Sequence, residues 1–192
     1  MKTCVLITGT NAVGKSSLAD EIILHYGGVD RELNDVTYLK EGRAALAGYY
    51  GRTKYGGVDR ITNDKGSRCT SRLPEVVKEG LANADMIFCE GMYLNTFGLN
   101  LQRALFAAQR QLVVNLYAPP RVLYERIVSR SNWKKGDGVR DWKTIFKKQK
   151  QAMLAAKKYR SIGIPVIQLN TDENQPEEVL RIMLEKLSDI CV

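Results

Sequence analysis

The sequence predicts an α/β domain of three layers, in which helices cover both faces of a central, mainly parallel five-stranded sheet. Short apolar runs alternate with helical patterns along the chain, and parallel strands need such crossover connections. The runs are apolar at nearly every position, as in strands buried on both faces. The chain has 192 residues, a length that suits one domain, 1–192, with a full core.

Each predicted element follows from the spacing of its apolar residues. Continuous apolar runs predict strands at 3–8, 36–39, 85–90, 112–117 and 164–169. Patterns with helical period predict helices near 15–26, 70–83, 98–110, 120–131, 141–160 and 175–190. The connections 47–67 and 132–141 interrupt this alternation, and long connections in compact α/β domains are often substrate loops or lids.

A glycine-rich loop connects the first predicted strand to the first predicted helix. It reads Gly9-Thr10-Asn11-Ala12-Val13-Gly14-Lys15-Ser16, which is the complete phosphate-binding pattern G-x-x-x-x-G-K-[ST]. Its glycines let backbone N–H groups face a phosphate, and the helix adds its positive N-terminal end. Lys15 is predicted to reach the outer phosphates and Ser16 to bind Mg²⁺. We therefore expect ATP and Mg²⁺ as cofactors, held by Gly9, Asn11, Ala12, Val13, Gly14, Lys15, Ser16 and Ser17.

Glu90 ends the third predicted strand and precedes Gly91. Ligands of parallel sheets bind at the carboxyl ends of the strands, so this carboxylate is expected beside the phosphate-binding loop. In phosphate-loop proteins an acid in this place orders Mg²⁺ or its waters. Glu90 is therefore predicted to be catalytic and, with Ser16, a metal ligand; a strand that simply ends at the surface is the alternative.

The segment 49–60 combines aromatic side chains, cations, paired glycines and an aspartate. Such glycines let backbone pass close to a ligand, and Asp59 is suited to accept a proton from an attacking hydroxyl. The alternative is a surface loop in which Asp59 caps the next turn. Because His25 is the only histidine and is predicted at the end of the first helix, a carboxylate is the expected general base, with Asp59 first and Asp35 second.

An arginine-rich region, about 121–150, is predicted to form a lid. Arg126 and Arg130 are four residues apart in one predicted helix, so they lie on one face. Guanidinium groups clamp phosphate oxygens and neutralise charge on a transferring phosphoryl group. Arg126 and Arg130 are predicted to be catalytic in this way, with a structural helix face as the alternative.

The net charge of +8 is distributed unevenly along the chain. Residues 121–160 carry 13 basic and 3 acidic side chains, whereas residues 1–120 carry 14 and 12. An excess of +10 in one segment is typical either of a solvated helix face or of a site that binds the phosphates of a nucleotide or a nucleic acid.

The four cysteines are far apart and form no C-x-x-C pair, which indicates a reducing, cytoplasmic setting. No apolar stretch approaches the roughly 18 residues of a membrane span. The N-terminus leads directly into a predicted core strand, so no signal peptide is expected. We therefore expect a soluble protein of the cytoplasm, or of the host cytoplasm if the chain is phage-encoded, with no membrane contact and no obligate protein partner evident.

The order of phosphate loop, acidic strand tip and arginine-rich lid resembles the P-loop kinases that include nucleoside monophosphate kinases and polynucleotide kinases. More narrowly, Tyr55-Gly56-Gly57-Val58-Asp59 together with Phe88-Cys89-Glu90-Gly91-Met92-Tyr93 resembles bacteriophage kinases that phosphorylate 5-hydroxymethyluracil within DNA, a step in thymidine hypermodification. This resemblance implies a DNA substrate, with the γ-phosphate of ATP going to the hydroxymethyl oxygen. A basic surface that binds DNA and an extruded base are consistent with it.

Two other functions stay open from the sequence. Asp59-Arg60 is similar to an Asp-Arg pair of thymidylate kinases, which predicts a deoxynucleoside monophosphate kinase, although Gly56-Gly57 and Ile61-Thr62 fit that pattern poorly. A nucleotide-dependent ATPase or switch without a phosphoryl acceptor is the second alternative. It is disfavoured because the sequence has no N-K-x-D motif and no acidic pair at Glu90.

Overall fold

The structure, a computed structural model, describes residues 1–51, 56–61, 70–130 and 142–190. Within these ranges there are seven strands: β1 (Thr3–Thr8), β2 (Val29–Leu33), β3 (Val36–Leu39), β4 (Ala44–Ala47), β5 (Met86–Glu90), β6 (Arg110–Tyr117) and β7 (Val166–Asn170). The same ranges contain six α-helices: α1 (Lys15–His25), α2 (Leu73–Asn83), α3 (Leu99–Leu105), α4 (Pro120–Arg130), α5 (Trp142–Ser161) and α6 (Pro176–Asp189). Short 3₁₀ turns span Val58–Arg60 and Met92–Leu94.

All seven strands form one sheet in the order β2-β3-β4-β5-β1-β6-β7. The five strands from β4 to β7 in this order run parallel, and β3 pairs antiparallel with both β2 and β4. The expected mainly parallel sheet is therefore confirmed. The prediction of five strands is wrong, because two of the seven strands, β2 and β4, were not predicted.

The composition of each missed strand is unlike that of a typical buried strand. β4 reads Ala-Ala-Leu-Ala, and alanine is depleted in strands, yet all four residues are buried. β2 reads Val-Asp-Arg-Glu-Leu and is exposed along most of its length, because it forms an edge of the sheet. Asn34 and Asp35, with φ of 50° and 64°, make the two-residue turn that folds β2 back onto β3.

The core lies on both faces of the sheet, as expected for three layers. Along β1, Cys4 and Leu6 belong to one buried cluster, which includes residues of α2, α3 and α5. Val5 and Ile7 belong to the other, which includes residues of α1 and α6. This double burial explains why β1 is apolar at successive positions instead of alternating.

The predicted helices are all present with small changes of boundary. The largest difference is α3, which ends at Leu105 instead of near 110, because the chain turns at Phe106 and β6 begins at Arg110. No helix in the described ranges is long and apolar enough to cross a bilayer. Cys4 and Cys89 are buried free thiols in β1 and β5, whereas Cys69 and Cys191 lie outside the described residues.

Candidate active site

The phosphate-binding loop leaves the carboxyl end of β1, which lies between β5 and β6. Gly9 has a φ of 141°, and a Cβ there would lie 2.6 Å from the Leu116 carbonyl oxygen of β6. Gly14 has a φ of 93° and directly precedes α1. A side chain at Gly9 would collide with β6, and one at Gly14 would be strained, so the loop needs glycine at both positions.

Lys15 is buried and folds back over this loop. Its Nζ donates hydrogen bonds to the carbonyl oxygens of Gly9 (3.0 Å) and Thr10 (2.8 Å). The ammonium charge is therefore held at the loop, beside the cavity described below.

Asn95 anchors the loop from the opposite side. Its Oδ1 accepts a hydrogen bond from Gly9 N (2.8 Å), and its Nδ2 donates one to Gly9 O (3.0 Å). The side chain is buried, so both bonds are protected from water. Asn95 was not predicted as a site residue, because the only signal for it in the sequence is its position five residues after Glu90.

Glu90 is buried at the carboxyl end of β5, in register with Ile7 of β1. Its Oε1 accepts hydrogen bonds from the Tyr50 hydroxyl (3.0 Å) and from Gly57 N (3.2 Å). Burial raises the pKa of the Glu90 carboxyl; the positive charge of Lys15 and the hydrogen bond from Tyr50 oppose this rise. Glu90, at the end of β5, and Lys15, at the start of α1, thus attract each other electrostatically.

Gly57 allows the loop 56–60 to lie directly on β5. A Cβ at Gly57 would come within 2.3 Å of the Glu90 carbonyl oxygen and 2.5 Å of the Tyr50 hydroxyl oxygen. Neither contact is sterically allowed, so glycine is required for this close approach. The Gly56-Gly57 pair in the sequence is explained, at its second position, by packing against the site.

Asp59 connects the two 3₁₀ turns. Its Oδ2 accepts a hydrogen bond from Met92 N (2.9 Å), and its Oδ1 accepts one from Tyr93 N (3.1 Å). Gly91 is needed beside it, because a Cβ there would lie 2.7 Å from Asp59 Oδ1. Asp59 therefore caps the turn that follows β5, and not the next turn along the chain as in the alternative interpretation. It also lines the cavity beside the loop.

That cavity, of about 410 Å³, joins the phosphate-binding loop to the loop 56–60 and the end of β5. It brings together six of the predicted site residues, Asn11, Ala12, Lys15, Ser16, Asp59 and Glu90. The rest of its lining is Gly56, Gly57, Arg60, Met92 and Ile127.

Arg126 lies elsewhere. It lines a second cavity, of about 210 Å³, with Gly14, Ser17 and the chain that leads from β7 into α6. Its guanidinium donates hydrogen bonds to the Thr171 hydroxyl (2.8 Å) and the Thr171 carbonyl oxygen (2.5 Å). The structure does not place Arg126 with Asp59 and Glu90; the residue of α4 that lines their cavity is Ile127. The Arg130 side chain and the loop of the predicted lid, 131–141, lie outside the described residues.

Asp35, the second candidate for the general base, is away from both cavities. It is buried in the turn between β2 and β3, and its carboxylate forms an ion pair with Arg72 (3.1 Å). The hydrogen bond between Tyr49 and Asp35 is the main cause that raises the pKa of Tyr49 to about 12. His25 lies at the end of α1, in a surface groove with Glu21 and Arg181.

The lining of the larger cavity fits a magnesium nucleotide. Mg²⁺ is bound by one or two protein oxygens together with phosphate oxygens and water, and Ser16 and Glu90 supply such oxygens. The Oδ1 of Asn11 is buried without a hydrogen-bond partner in the described chain, so this amide is available for a bound polar group. The described residues contain no group of three or more His, Cys, Asp or Glu side chains that would hold a metal alone.

No protein-family model matches the chain. The chain is 29% identical over 178 residues to a 5-hmdU DNA kinase of Pseudomonas phage PaMx11, and the match covers 86% of this chain and 89% of that protein. The protein is a kinase, and its α/β fold is similar to the folds of other kinases.

Solved structures share the fold of this kinase at low sequence identity. YorR protein of Bacillus subtilis, in complex with phosphorylated GDP, has a TM-score of 0.57 at 14% identity and covers 96% of the kinase and 95% of its own chain. Shikimate kinase of Acinetobacter baumannii, in complex with shikimate, has a TM-score of 0.54 at 14% identity, with coverages of 98% and 94%. Deoxyadenosine kinase of M. mycoides with bound dCTP has a TM-score of 0.51 at 12% identity, with coverages of 97% and 99%.

Proposed function

We propose that this kinase transfers the γ-phosphate of ATP to the 5-hydroxymethyl oxygen of hydroxymethyluracil in DNA. The observation that carries the proposal is the cavity shared by the phosphate-binding loop, Asp59 and Glu90. The similarity to a phage 5-hmdU DNA kinase supports the same acceptor.

The larger cavity is suited to the phosphoryl transfer itself. The acceptor oxygen forms a bond to the γ-phosphorus while the bond from this phosphorus to the β,γ-bridging oxygen breaks, so ADP leaves. The hydroxyl proton passes to a carboxylate oxygen of Asp59, whose two backbone N–H partners hold it in position. Lys15 neutralises charge on the moving phosphoryl group.

Ser16 and Glu90 would hold Mg²⁺ in the same cavity. The ion, when bound, would supply positive charge that stabilises the phosphates during the transfer. The hydrogen bonds that Glu90 Oε1 accepts from Tyr50 and Gly57 fix the direction in which the rest of the carboxylate points.

The smaller cavity is suited to the nucleoside part of ATP. It begins at Gly14 and Ser17, directly beside the phosphate-binding loop, and Arg126 provides a flat guanidinium at its wall. Such a guanidinium stacks well on a nucleobase. We therefore infer that Arg126 contacts the donor nucleotide. To bind the γ-phosphate instead, the guanidinium would first have to break its hydrogen bonds to Thr171.

The experiment that tests the proposal compares acceptors in one assay. The kinase is incubated with radiolabelled ATP and with matched oligonucleotides that contain hydroxymethyluracil or thymine, and the nucleosides are then analysed by mass. We expect one phosphate on the hydroxymethyl group and none on thymine DNA or on DNA ends. Transfer only to the ends would contradict the proposal.

A free deoxynucleoside monophosphate is the alternative acceptor, because Arg60 lines the same cavity next to Asp59. The same assay with free hydroxymethyldeoxyuridine monophosphate and thymidine monophosphate separates the two functions. Label found only on the free nucleotides would replace the proposed acceptor. Steady hydrolysis of ATP that no acceptor redirects would instead indicate an ATPase.

A further inference from the structure

We propose that Arg60 and Lys148 hold the two phosphates that flank the target base in the DNA strand. This inference rests on the proposed function and goes beyond it, because it assigns a DNA-backbone contact to two residues outside the phosphate-binding loop and outside the reacting carboxylates. It commits to a phosphodiester strand as the ligand.

Arg60 lies at the cavity, at the end of the turn that carries Asp59. It is exposed to solvent and lines the cavity that contains Asp59 and Glu90. Its stem packs over Gly56, where an added Cβ would lie 2.7 Å from Arg60 Cγ. The guanidinium is therefore held by its aliphatic stem close to the acceptor side of the cavity.

Lys148, on α5, contacts one of the residues that line this cavity. Its Nζ lies 3.8 Å from the sulfur of Met92, and Met92 is both a lining residue and the partner of Asp59 through its backbone N–H. The two cations thus come from different elements, and Met92 lies between Lys148 and the Asp59 carboxylate.

The position of α5 is fixed next to Lys148. The Thr10 hydroxyl donates to the Ile145 carbonyl oxygen (3.2 Å), which connects the phosphate-binding loop to this helix. Gln149, the neighbour of Lys148, donates to Ala118 O (3.2 Å) at the end of β6. Lys148 is consequently presented by a fixed backbone, and only its side chain needs to adapt to a ligand.

Neither cation is neutralised by a carboxylate in the described part of the chain. The ion pairs found there involve other residues of both signs. Both cations are therefore available to an anion at this edge of the sheet. The segment 121–160, to which Lys148 belongs, also carries the +10 excess.

The chemistry of the proposed acceptor explains why two cations are needed outside the reaction centre. A base can reach a closed cavity only if its nucleotide is turned out of the stack. The phosphates on its 5′ and 3′ sides then stay at the mouth of the cavity. Lys and Arg contacts to such phosphates position a strand without reading its sequence.

The test measures how DNA binding depends on salt. A labelled single-stranded oligonucleotide with one hydroxymethyluracil is titrated with wild-type enzyme, Arg60→Gln, Lys148→Gln and the double variant at several salt concentrations. Each phosphate contact on a single strand contributes about 0.7 to the slope of log K against log[salt]. The slope is negative, and we expect each single variant to reduce its magnitude by about 0.7 and the double variant by about 1.4. The Michaelis constant for ATP should change less than about twofold.

Matched controls separate charge from folding. Arg60→Lys and Lys148→Arg keep the charge and should keep the slope. Arg103→Gln and Lys78→Gln remove exposed cations from a groove between α2 and α3 and should also keep it. Wild-type slopes in both Arg60→Gln and Lys148→Gln would overturn the proposed contacts of these two residues with the DNA phosphates. An increased Michaelis constant for ATP with no change of slope would overturn them too.

The wild-type enzyme distinguishes failure of the proposed phosphate contacts from failure of the proposed function. If wild type phosphorylates the free monophosphate and not the oligonucleotide, both the proposed function and the phosphate contacts are wrong. If wild type phosphorylates the oligonucleotide while the Gln variants show the salt dependence of wild type, only the phosphate contacts are wrong.

Discussion

The donor side and the acceptor side of the site are built in different ways. The donor side comes mainly from one continuous stretch, Gly9 to Ser17, whose conformation follows from two glycines and a helix N-terminus. The acceptor side combines separate pieces, the loop 56–60, the end of β5 and the turn after it. Buried hydrogen bonds from Tyr50 and Gly57 to Glu90, and a partly buried one from Met92 to Asp59, hold these pieces together.

This difference predicts how substitutions affect each side of the site. A continuous loop keeps its shape through local backbone preferences, so substitutions there should act mainly on the bound phosphates. An assembled wall depends on close approach between distant segments, so a single added methyl group can displace it. The predictions below test this division, starting with the largest expected effect.

Lys15→Met should lower kcat by about 10³-fold, because it removes the positive charge beside the transferring phosphoryl group. Turnover is measured at saturating ATP and acceptor, and thermal unfolding is followed in parallel. Lys40→Met, which removes an exposed lysine after β3, is the control and should keep wild-type turnover. Near-normal kcat in Lys15→Met would contradict a role of the donor side in the chemical step.

Asp59→Asn should lower kcat by about 10²-fold and change the Michaelis constant for ATP less than about twofold, because general-base help is lost while the donor side is untouched. The amide also loses one of the two hydrogen bonds from the 3₁₀ turn, so the melting temperature is measured as well. Unchanged turnover would remove Asp59 from the mechanism and leave it a cap of the turn.

Gly57→Ala should lower kcat by one to two orders of magnitude, because the new methyl group cannot fit 2.3 Å from the Glu90 carbonyl oxygen and must push the wall apart. Gly98→Ala is the matched control. Its nearest neighbour would be the Thr96 hydroxyl at 3.7 Å, so activity should stay normal. Equal activities of the two variants would show that the acceptor wall tolerates displacement.

Glu90→Gln should stabilise the fold at neutral pH by about 1 kcal/mol, the usual size of such gains at functional sites. Burial raises the pKa of Glu90 in the folded state, so folding favours the protonated acid, and its ionisation destabilises the fold as pH rises through that pKa. The gain should shrink as pH falls, because Glu90 is then protonated in both folded and unfolded states.

Denaturant unfolding of Glu90→Gln and wild type, from neutral pH down to below the ordinary pKa of a glutamate carboxyl, measures the difference in free energy of unfolding. Glu173→Gln, at an exposed turn after β7, is the control and should show no such pH-dependent difference. A Glu90→Gln protein that is less stable than wild type at neutral pH would indicate that the Glu90 charge contributes to folding through Lys15.

The sequence predicted strands best where they are buried on both faces. β1 and β5 were found within one residue of their bounds, because a run of apolar residues marks a central parallel strand. The edge strand β2 and the alanine-rich β4 were missed, because pairing with neighbours forms them and intrinsic preference does not. A strand count is therefore less predictable than the order of the central elements.

Site residues follow the same rule. The phosphate-binding loop was visible because its residues are adjacent, and Glu90 because it ends an apolar run. Asn95, Tyr50 and Thr171 were not visible, because each acquires its partner only when distant segments meet. The roles of all the predicted site residues stay predictions, although the surroundings of Lys15, Ser16, Asp59, Glu90 and Arg126 are now described.

The sequence alone determined that the pattern of a phosphate-binding loop follows a central strand, because this pattern is one short continuous motif. Tertiary structure alone decided what faces that loop. It brought Asp59, Arg60 and Glu90 to one cavity and placed Arg126 at another. The physical reason is that contacts between distant residues depend on the packing of the sheet and helices, which no local pattern specifies.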